Sequence, residues 1–147
     1  MKNLIFILVI LFGSEICFAQ EHPITSKLNS TKQNSLLHEL LEDVDKGISE
    51  AEISSISPFL ASQVYLSFLN GISGYYSSNQ AYYVLEKFLN EYKVISFKFD
   101  KIKIDTMTPF ATGIYYYEHK GNRSEAKVYL TLKLATNSWQ ITQISID

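Results

Sequence analysis

The chain is poor in the residues that crosslink proteins or hold metal ions. Its 147 residues include one cysteine, Cys17, three histidines and one tryptophan. A single cysteine cannot form an internal disulfide, and scattered histidines do not make a zinc or haem site. No glycine-rich phosphate loop, serine elbow or His-x-x-x-His pair is present either. We therefore expect no metal ion and no cofactor, and a fold stabilised by apolar packing.

The chain also lacks an excess of positive charge. It has 13 basic and 15 acidic residues, for a formal net charge of −2. Lys98, Lys101 and Lys103 come close to a basic cluster, but Asp100 and Asp105 lie among them. This mixture is typical of a solvated strand edge and not of the basic stripe of a nucleic-acid-binding protein. We predict no nucleic-acid partner.

Apolar residues form a long run near the N-terminus, from Leu4 to Phe12, which follows Lys2 and precedes Cys17-Phe18-Ala19. A basic residue, an apolar run and small residues in this order predict a signal peptide over residues 1–19. The run is about half the roughly 20 residues that a membrane-spanning helix needs. We therefore expect no membrane span once the signal is cleaved near Ala19.

Cys17 raises the alternative of a lipoprotein signal. Glu15 and Ile16 stand directly before it, where that signal requires small residues. An acidic residue at this place argues against lipid attachment and favours cleavage after Ala19. The mature protein is predicted to be exported, either to a bacterial periplasm or to the outside of the cell.

The mature chain is long enough for one domain. Residues 20–34 are polar and unpatterned, so we predict a flexible leader there and a single domain over residues 35–147. From Ser35 onward, apolar residues recur at helical spacing: Leu36, Leu37, Leu40, Leu41, Val44 and Ile48. Gly47 is predicted to close this helix in the left-handed conformation. Ser49-Glu50-Ala51-Glu52 has the pattern of a capping box that opens a second, short helix.

A third helix is predicted from Ser77, because Gln80 stands three residues later and completes a capping box. Its core face is expected to comprise Ala81, Leu85, Phe88 and Tyr92. Two strand candidates precede this helix, Gln63–Leu69 and the short segment Tyr75-Tyr76.

From Val94 onward, alternating apolar residues predict four strands. Their phase changes near Asp100-Lys101, which indicates a bulge. Lys120-Gly121-Asn122 predicts a hairpin turn, and Asn137-Ser138 a turn into a last strand, Trp139–Ile146. Helices followed by a long antiparallel meander exclude a doubly wound parallel sheet. We predict an α+β fold in which a curved antiparallel sheet wraps, cone-like, around the N-terminal helices.

The order of elements resembles the nuclear-transport-factor-2-like superfamily, and within it a family of small exported bacterial proteins of unknown function. The segments that carry the resemblance are Ile53–Leu60 with Val64–Leu69, Tyr76–Ala81 with Val84–Leu89, Ser96–Phe99 and Ile141–Ile146. It spans roughly Ile48 to Asp147 and implies the cone-like fold. The superfamily includes isomerases, dehydratases and epoxide hydrolases beside subunits that only bind or dimerise, so it does not select an activity.

Enzymes of the superfamily place an Asp, a His or a Tyr in the open end of the cone. Here His22 lies in the leader and His119 next to a hairpin tip, where both are expected to be solvated, and His38 has no evident partner. Asp100 and Glu118 are the acids on the predicted sheet that could face inward, although solvent exposure is favoured for both.

The ten tyrosines and nine phenylalanines are the remaining signal. Tyr76, Tyr83, Tyr116 and Trp139 are our candidates for a ligand pocket, because aromatic rings with a polar group offer both apolar surface and hydrogen bonds. Successive strand residues point to opposite faces, so Tyr115-Tyr116-Tyr117 cannot share one cavity. The outward set could cover a subunit interface.

Two hypotheses follow. The first is an exported, non-enzymatic binding or interaction domain whose partner is a small ligand, an exported protein or a second copy bound through the open sheet face. The alternative is a small enzyme of the isomerase or hydrolase type that uses one polar group in the cone. A buried Asp or His that faces a Tyr hydroxyl would favour the enzyme, whereas a cone filled by Phe and Leu would contradict it.

Overall fold

The computed structural model describes residues 23–136 and 138–147, so the predicted signal peptide and His22 lie outside the described residues. These residues form three α-helices, a short 3-10 turn and six strands. Their bounds are α1 Pro23–Ser49, α2 Ile53–Ile56, the 3-10 turn Ser57–Phe59, β1 Leu60–Phe68, β2 Ser73–Ser77, α3 Ser78–Glu91, β3 Lys93–Lys103, β4 Phe110–His119, β5 Asn122–Ala135 and β6 Ser138–Ile146.

The six strands form one sheet in the order β2-β1-β6-β5-β4-β3. Neighbouring strands are antiparallel except β1 and β6, which are parallel. The sheet is curved and unclosed, and it packs with the helices as an α+β cone. The predicted fold class is confirmed, but the parallel pair was not predicted, because it joins segments from opposite ends of the domain.

The core lies between the helices and the inner face of this sheet. One row of cross-strand partners shows this face, since Leu66, Ile144, Leu130 and Ala111 pair in turn across β1, β6, β5 and β4 and are all buried. Helix α1 contacts β3 and β6, and α3 contacts β1. The largest side chains with almost no exposure are Tyr115, Phe88, Leu40, Ile56, Leu66, Leu130, Ile141 and Ile146. Aromatic and aliphatic side chains thus fill the inside of the cone.

Helix α1 already includes Pro23, the first described residue, so residues 23–34 are helical where a flexible leader was predicted. The indole N–H of Trp139 donates to the Gln33 carbonyl at 3.0 Å and so connects this part of α1 to β6. No helix of the described chain is both long enough and apolar enough to cross a membrane.

The joint between α1 and α2 differs from the prediction. Ala51, at φ 53°, and not Gly47, adopts the left-handed conformation. Helix α1 continues to Ser49, and the residue before α2 is Glu52, which makes no side-chain capping bond, so the predicted capping box is wrong. Gly47 serves a close approach instead, because a Cβ atom there would stand 2.5 Å from Ile56 Cγ1.

The start of α3 confirms its predicted capping box. The Gln80 N–H donates to Ser77 Oγ at 3.4 Å, and the Ser77 N–H donates to Gln80 Oε1 at 3.0 Å. Among the predicted core positions Ala81, Leu85 and Phe88 are buried, and Leu89 joins them. The helix was therefore predictable from local pattern alone.

The C-terminal strands also follow the pattern closely. The register between β3 and β4 slips between Phe99 and Lys101, which confirms the bulge. Lys120 and Gly121 both have positive φ, of 51° and 78°, as a tight hairpin turn requires. Asn137, half of the second predicted turn, lies outside the described residues, and β6 begins at Ser138.

Candidate functional site

The inside of the cone is where the enzyme hypothesis needs a titratable group. The buried polar residues of the described chain are Thr112 and Ser145, together with the hydroxyl of Tyr115. That hydroxyl donates to the backbone carbonyl of Tyr92. Burial, followed by the nearby Tyr117, raises the pKa of Tyr115 far above its ordinary value, so its phenol stays protonated at physiological pH. It therefore serves as a structural hydrogen-bond donor.

The predicted histidine candidates lie outside this interior. His38 is exposed on α1. His119 is half-buried and not solvated as predicted, because its ring stacks on Tyr92 with centroids 4.3 Å apart and its Nδ1 lies 3.2 Å from the Glu91 carbonyl oxygen. This stack covers the C-terminal end of α3.

The two acids singled out on the sheet also point away from the cone. Asp100 is exposed and accepts a hydrogen bond from Thr112 Oγ1 at 2.5 Å. Glu118 lies 3.7 Å from the Arg123 guanidinium in an exposed ion pair. Between Pro23 and Asp147, Asn137 excepted, no three His, Asp or Glu side chains gather where they could hold a metal ion.

The four predicted pocket residues do not converge. Tyr83, Tyr116 and Trp139 line three different cavities, and the half-buried Tyr76 packs against the core. Trp139 is itself buried, and its indole N–H is already bonded to α1. These residues were selected by type, whereas their positions depend on strand order, which residue type does not reveal.

Tyr116 lies on the outside of the sheet at its hairpin end. It lines a shallow cavity of about 420 Å³ with Ile95, Ser96, Arg123, Ser124 and Glu125. A hydrogen bond to the Glu125 carboxylate raises the pKa of the Tyr116 phenol. Its neighbour Tyr115 is buried, so the prediction that successive tyrosines point to opposite faces is confirmed.

Tyr83 lies beside the first turn of α3, in a cleft of about 500 Å³. The lining residues are Ser57, Pro58, Ser78, Asn79, Tyr82 and Tyr83. The rings of Tyr82 and Tyr83 meet nearly at right angles, with centroids 5.3 Å apart. We call this feature the tyrosine cleft.

The outer face of the sheet, opposite the core, carries two adjacent rows of cross-strand partners that run through all six strands. In sheet order the first row is Tyr75, Tyr65, Gln143, Thr131, Phe110 and Lys103, and the second is Ser73, Ser67, Ser145, Tyr129, Thr112 and Lys101. Within these rows the charged residues are the two lysines on the edge strand β3. Within these two rows, the first five strands in sheet order thus present aromatic, hydroxyl and amide groups without charge.

Contacts within the outer face hold its aromatic rings in place. Phe110 stacks on Tyr129, with centroids 5.2 Å apart and planes 15° apart. Tyr65 meets Tyr75 edge-on at 5.1 Å, and its hydroxyl lies 2.8 Å from Ser73 Oγ. This surface is not predictable from the sequence, since strand alternation marks each residue as outward but does not show which strands are neighbours.

Comparisons with known proteins place the fold. The chain is similar to crystal structures of DUF4783 family proteins from Bacteroides ovatus (22% identity, 74% of this chain and 94% of that chain, TM-score 0.64) and Bacteroides uniformis (23%, 72% and 94%, 0.64). It is also similar to an NTF-2-like protein of unknown function from Shewanella oneidensis (14%, 80% and 97%, 0.53). At these identities the likeness shows the fold alone.

Sequence comparison identifies the family. No curated protein matches the chain significantly. The family described as "Domain of unknown function (DUF4783)" matches residues 41–147, well over half of the chain. The protein therefore belongs to the DUF4783 family.

Proposed function

We propose that the protein is an exported, non-enzymatic binding module that forms a homodimer through the outer face of its sheet. The observation that carries this proposal is the distribution of polar groups. The cone is filled by packed apolar and aromatic side chains, whereas an uncharged aromatic surface lies open on the other side of the sheet. Binding at this surface requires no reaction centre.

The outer face has the composition of an interface core. Such cores are depleted of charged residues and enriched in aromatic ones, and the surrounding rim is polar. Tyr65, Phe110 and Tyr129 lie in the uncharged rows, and charges stand at their margin. Two of these marginal charges are Glu125 and Lys127, of opposite sign on the same strand.

A second copy of the chain suits this surface better than a strongly charged partner. In a two-fold dimer each patch meets its own copy, so a charged centre would face like charge. The uncharged rows avoid this repulsion, and the mixed signs of Glu125 and Lys127 allow pairs of opposite charge to form across a two-fold axis. An exported protein other than a second copy is the competing partner.

The enzyme alternative lacks a candidate catalytic side chain inside the described part of the cone. Thr112 and Ser145, the buried polar residues of the described chain, both belong to the outer face and not to the cone. The buried Tyr115 hydroxyl is engaged by the backbone. An isomerase or hydrolase of this superfamily would need a polar side chain within the cone that is free to touch a substrate.

Export is part of the proposal and rests on the predicted signal peptide. We expect the protein recovered from its native cells to begin at Gln20, and to be found in the periplasm or the medium. Intact-mass measurement and cell fractionation test this. A protein that begins at Met1, or that remains in the cytoplasm, would contradict export. This result would not affect the proposed dimer, which is tested separately by sedimentation.

The dimer is tested by sedimentation velocity with a charge placed in the centre of the outer face. Thr131→Lys is expected to convert a wild-type dimer into a monomer, because a two-fold axis brings two new ammonium groups together. Asn90→Lys, which adds the same charge at an exposed position of α3, should leave the dimer intact. Circular dichroism verifies that both variants fold. A wild-type protein that sediments as a monomer at high micromolar concentration contradicts the proposal.

A further inference from the structure

The tyrosine cleft lies apart from the outer face and shares no residue with it. It is open to solvent, and the Tyr83 side chain that forms one of its walls is 68% exposed. Because the two tyrosine rings stand nearly at right angles, they form a corner with two apolar surfaces. A small molecule that enters the corner can contact both rings at once.

Hydrogen-bonding groups surround this corner, and most of them are free. Within the described chain the side chains of Ser78 and Asn79, and the hydroxyls of Tyr82 and Tyr83, make no hydrogen bond. Ser57 Oγ donates to the Ser54 carbonyl at 3.2 Å, which leaves its oxygen able to accept. The cleft therefore offers an amide and several hydroxyls to a ligand that can both donate and accept.

The charge of the lining limits what these groups can bind. None of the six lining residues carries a charge, so neither an anionic nor a cationic ligand finds an opposite charge there. One backbone amide of the first turn of α3, the Gln80 N–H, already donates to Ser77 Oγ and is not available to a ligand. The preferred ligand is a neutral one.

Neutral sugars combine the two properties that this lining matches. Their hydroxyl groups donate and accept hydrogen bonds, and the C–H bonds of one ring face form an apolar surface that can lie against an aromatic ring. A volume of about 500 Å³ falls within the range of small-molecule sites, roughly 300–1,000 Å³. We propose that the tyrosine cleft binds a neutral mono- or disaccharide, either free or at the end of a glycan.

The proposal is tested by titrating the purified, isotope-labelled protein with sugars and following its backbone amide signals by NMR. The probes are glucose, N-acetylglucosamine, galactose and mannose, with cellobiose, chitobiose, lactose and a mannan oligosaccharide as glycan ends. Glucuronic acid serves as a charged probe. We expect at least one neutral probe to shift the signals of Ser57, Ser78, Asn79, Tyr82 and Tyr83, and glucuronic acid to bind more weakly than glucose. Stronger binding by an oligosaccharide than by its monomer would identify a glycan end as the ligand.

Two substitutions locate the site. Tyr83→Ala removes one wall and is expected to weaken binding about tenfold, the upper range for a single aromatic contact. Asn79→Ala should also weaken binding, whereas Asn90→Ala, an exposed asparagine of the same helix outside the cleft, should not. All three positions are exposed, so the fold is expected to survive.

Three results would overturn the proposal. These are the absence of any shift with the neutral probes, shifts confined to residues outside the cleft, and binding that Tyr83→Ala and Asn79→Ala leave unchanged. The monomer or dimer state is measured separately by sedimentation, so a failed dimer does not imply a failed cleft.

Discussion

At the scale of single residues, Tyr115 shows how burial changes the role of a polar side chain. Its ring is fully buried and stacks near Tyr117, with centroids 5.6 Å apart. Its hydroxyl donates to the Tyr92 carbonyl and so joins β4 to the end of α3. The same residue type one position later, Tyr116, is 44% exposed and bonds to Glu125. Position in the sheet, and not residue type, decides which tyrosine is structural.

The Tyr115 hydroxyl supports a prediction about pH. Tyr115→Phe is expected to lower the free energy of unfolding at neutral pH by about 1–2 kcal/mol, because the Tyr92 carbonyl loses its donor. Burial raises the pKa of the folded phenol above its ordinary value near 10. Above about pH 10 the unfolded phenol releases its proton first, so the stability that Tyr115 contributes is lost as the pH rises through and beyond that value.

Urea denaturation of the wild type and of Tyr115→Phe, at neutral pH and above pH 10, measures both effects. The difference between the two proteins should narrow at the higher pH. Equal stability at neutral pH, or a constant difference across both conditions, would contradict the assigned role of the hydroxyl.

At the scale of elements, the joint between α1 and α2 depends on two small residues, Gly47 and Ala51. Ala51, and not Gly47, adopts the left-handed conformation there, and Gly47 allows a close contact between the helices. Gly47 lies where Ile56 of α2 approaches the helix, and the Glu52 carbonyl oxygen also stands only 3.0 Å from the position of a Cβ atom. Ala51 makes the left-handed turn that a glycine usually makes. The joint is therefore tight at Gly47 and strained at Ala51.

Single substitutions at these two positions are expected to change the stability of the protein in opposite directions. Gly47→Ala should destabilise the protein by about 1–3 kcal/mol, because crowding of Ile56 and the Glu52 carbonyl outweighs the gain in helix propensity. Ala51→Gly should stabilise it by about 0.5–1 kcal/mol, because glycine adopts positive φ without steric cost.

Thermal and chemical denaturation of both single variants test these signs. A more stable Gly47→Ala protein would show that the helices separate easily at this contact. A less stable Ala51→Gly protein would show that the Ala51 methyl group contributes more through packing than it costs in strain.

At the scale of the whole molecule, β6 unites the two halves of the sheet. It pairs with β5 on one side and, in parallel, with β1 on the other. Its last residues Ile144 and Ile146 are buried, and the adjoining Asp147 exchanges two backbone hydrogen bonds with Lys127, at 2.7 and 3.0 Å. The pair of strands β1 and β2 joins the rest of the sheet only through β6.

Removal of residues 144–147 is therefore expected to unfold the protein. Loss of two buried isoleucines, at about 2–5 kcal/mol each, approaches the roughly 5–15 kcal/mol that stabilises a typical domain. Asp147→Ala serves as the control, because it keeps the chain length and both backbone bonds. Circular dichroism and a thermal melt distinguish the two proteins, and a shortened chain that melts cooperatively near the wild-type temperature would contradict the central role of β6.

The amino-acid sequence by itself determined the features that depend on near neighbours. The capping box of Ser77 and Gln80, the left-handed turn at Lys120 and Gly121 and the alternation along β5 each involve residues a few positions apart, so local sterics and hydrogen bonding suffice to predict them. Together with the resemblance of motifs, they were enough for the α+β cone.

Tertiary structure alone decided the features that join distant residues. Trp139 contacts Gln33, Ile56 lies close to Gly47, and β6 lies parallel to β1. No local sequence pattern predicts any of these contacts. The candidate sites belong to this class. The four predicted pocket residues were separated, and the uncharged rows of the outer face were assembled, because side chains become neighbours only when the strand order is set by burial of the whole apolar face.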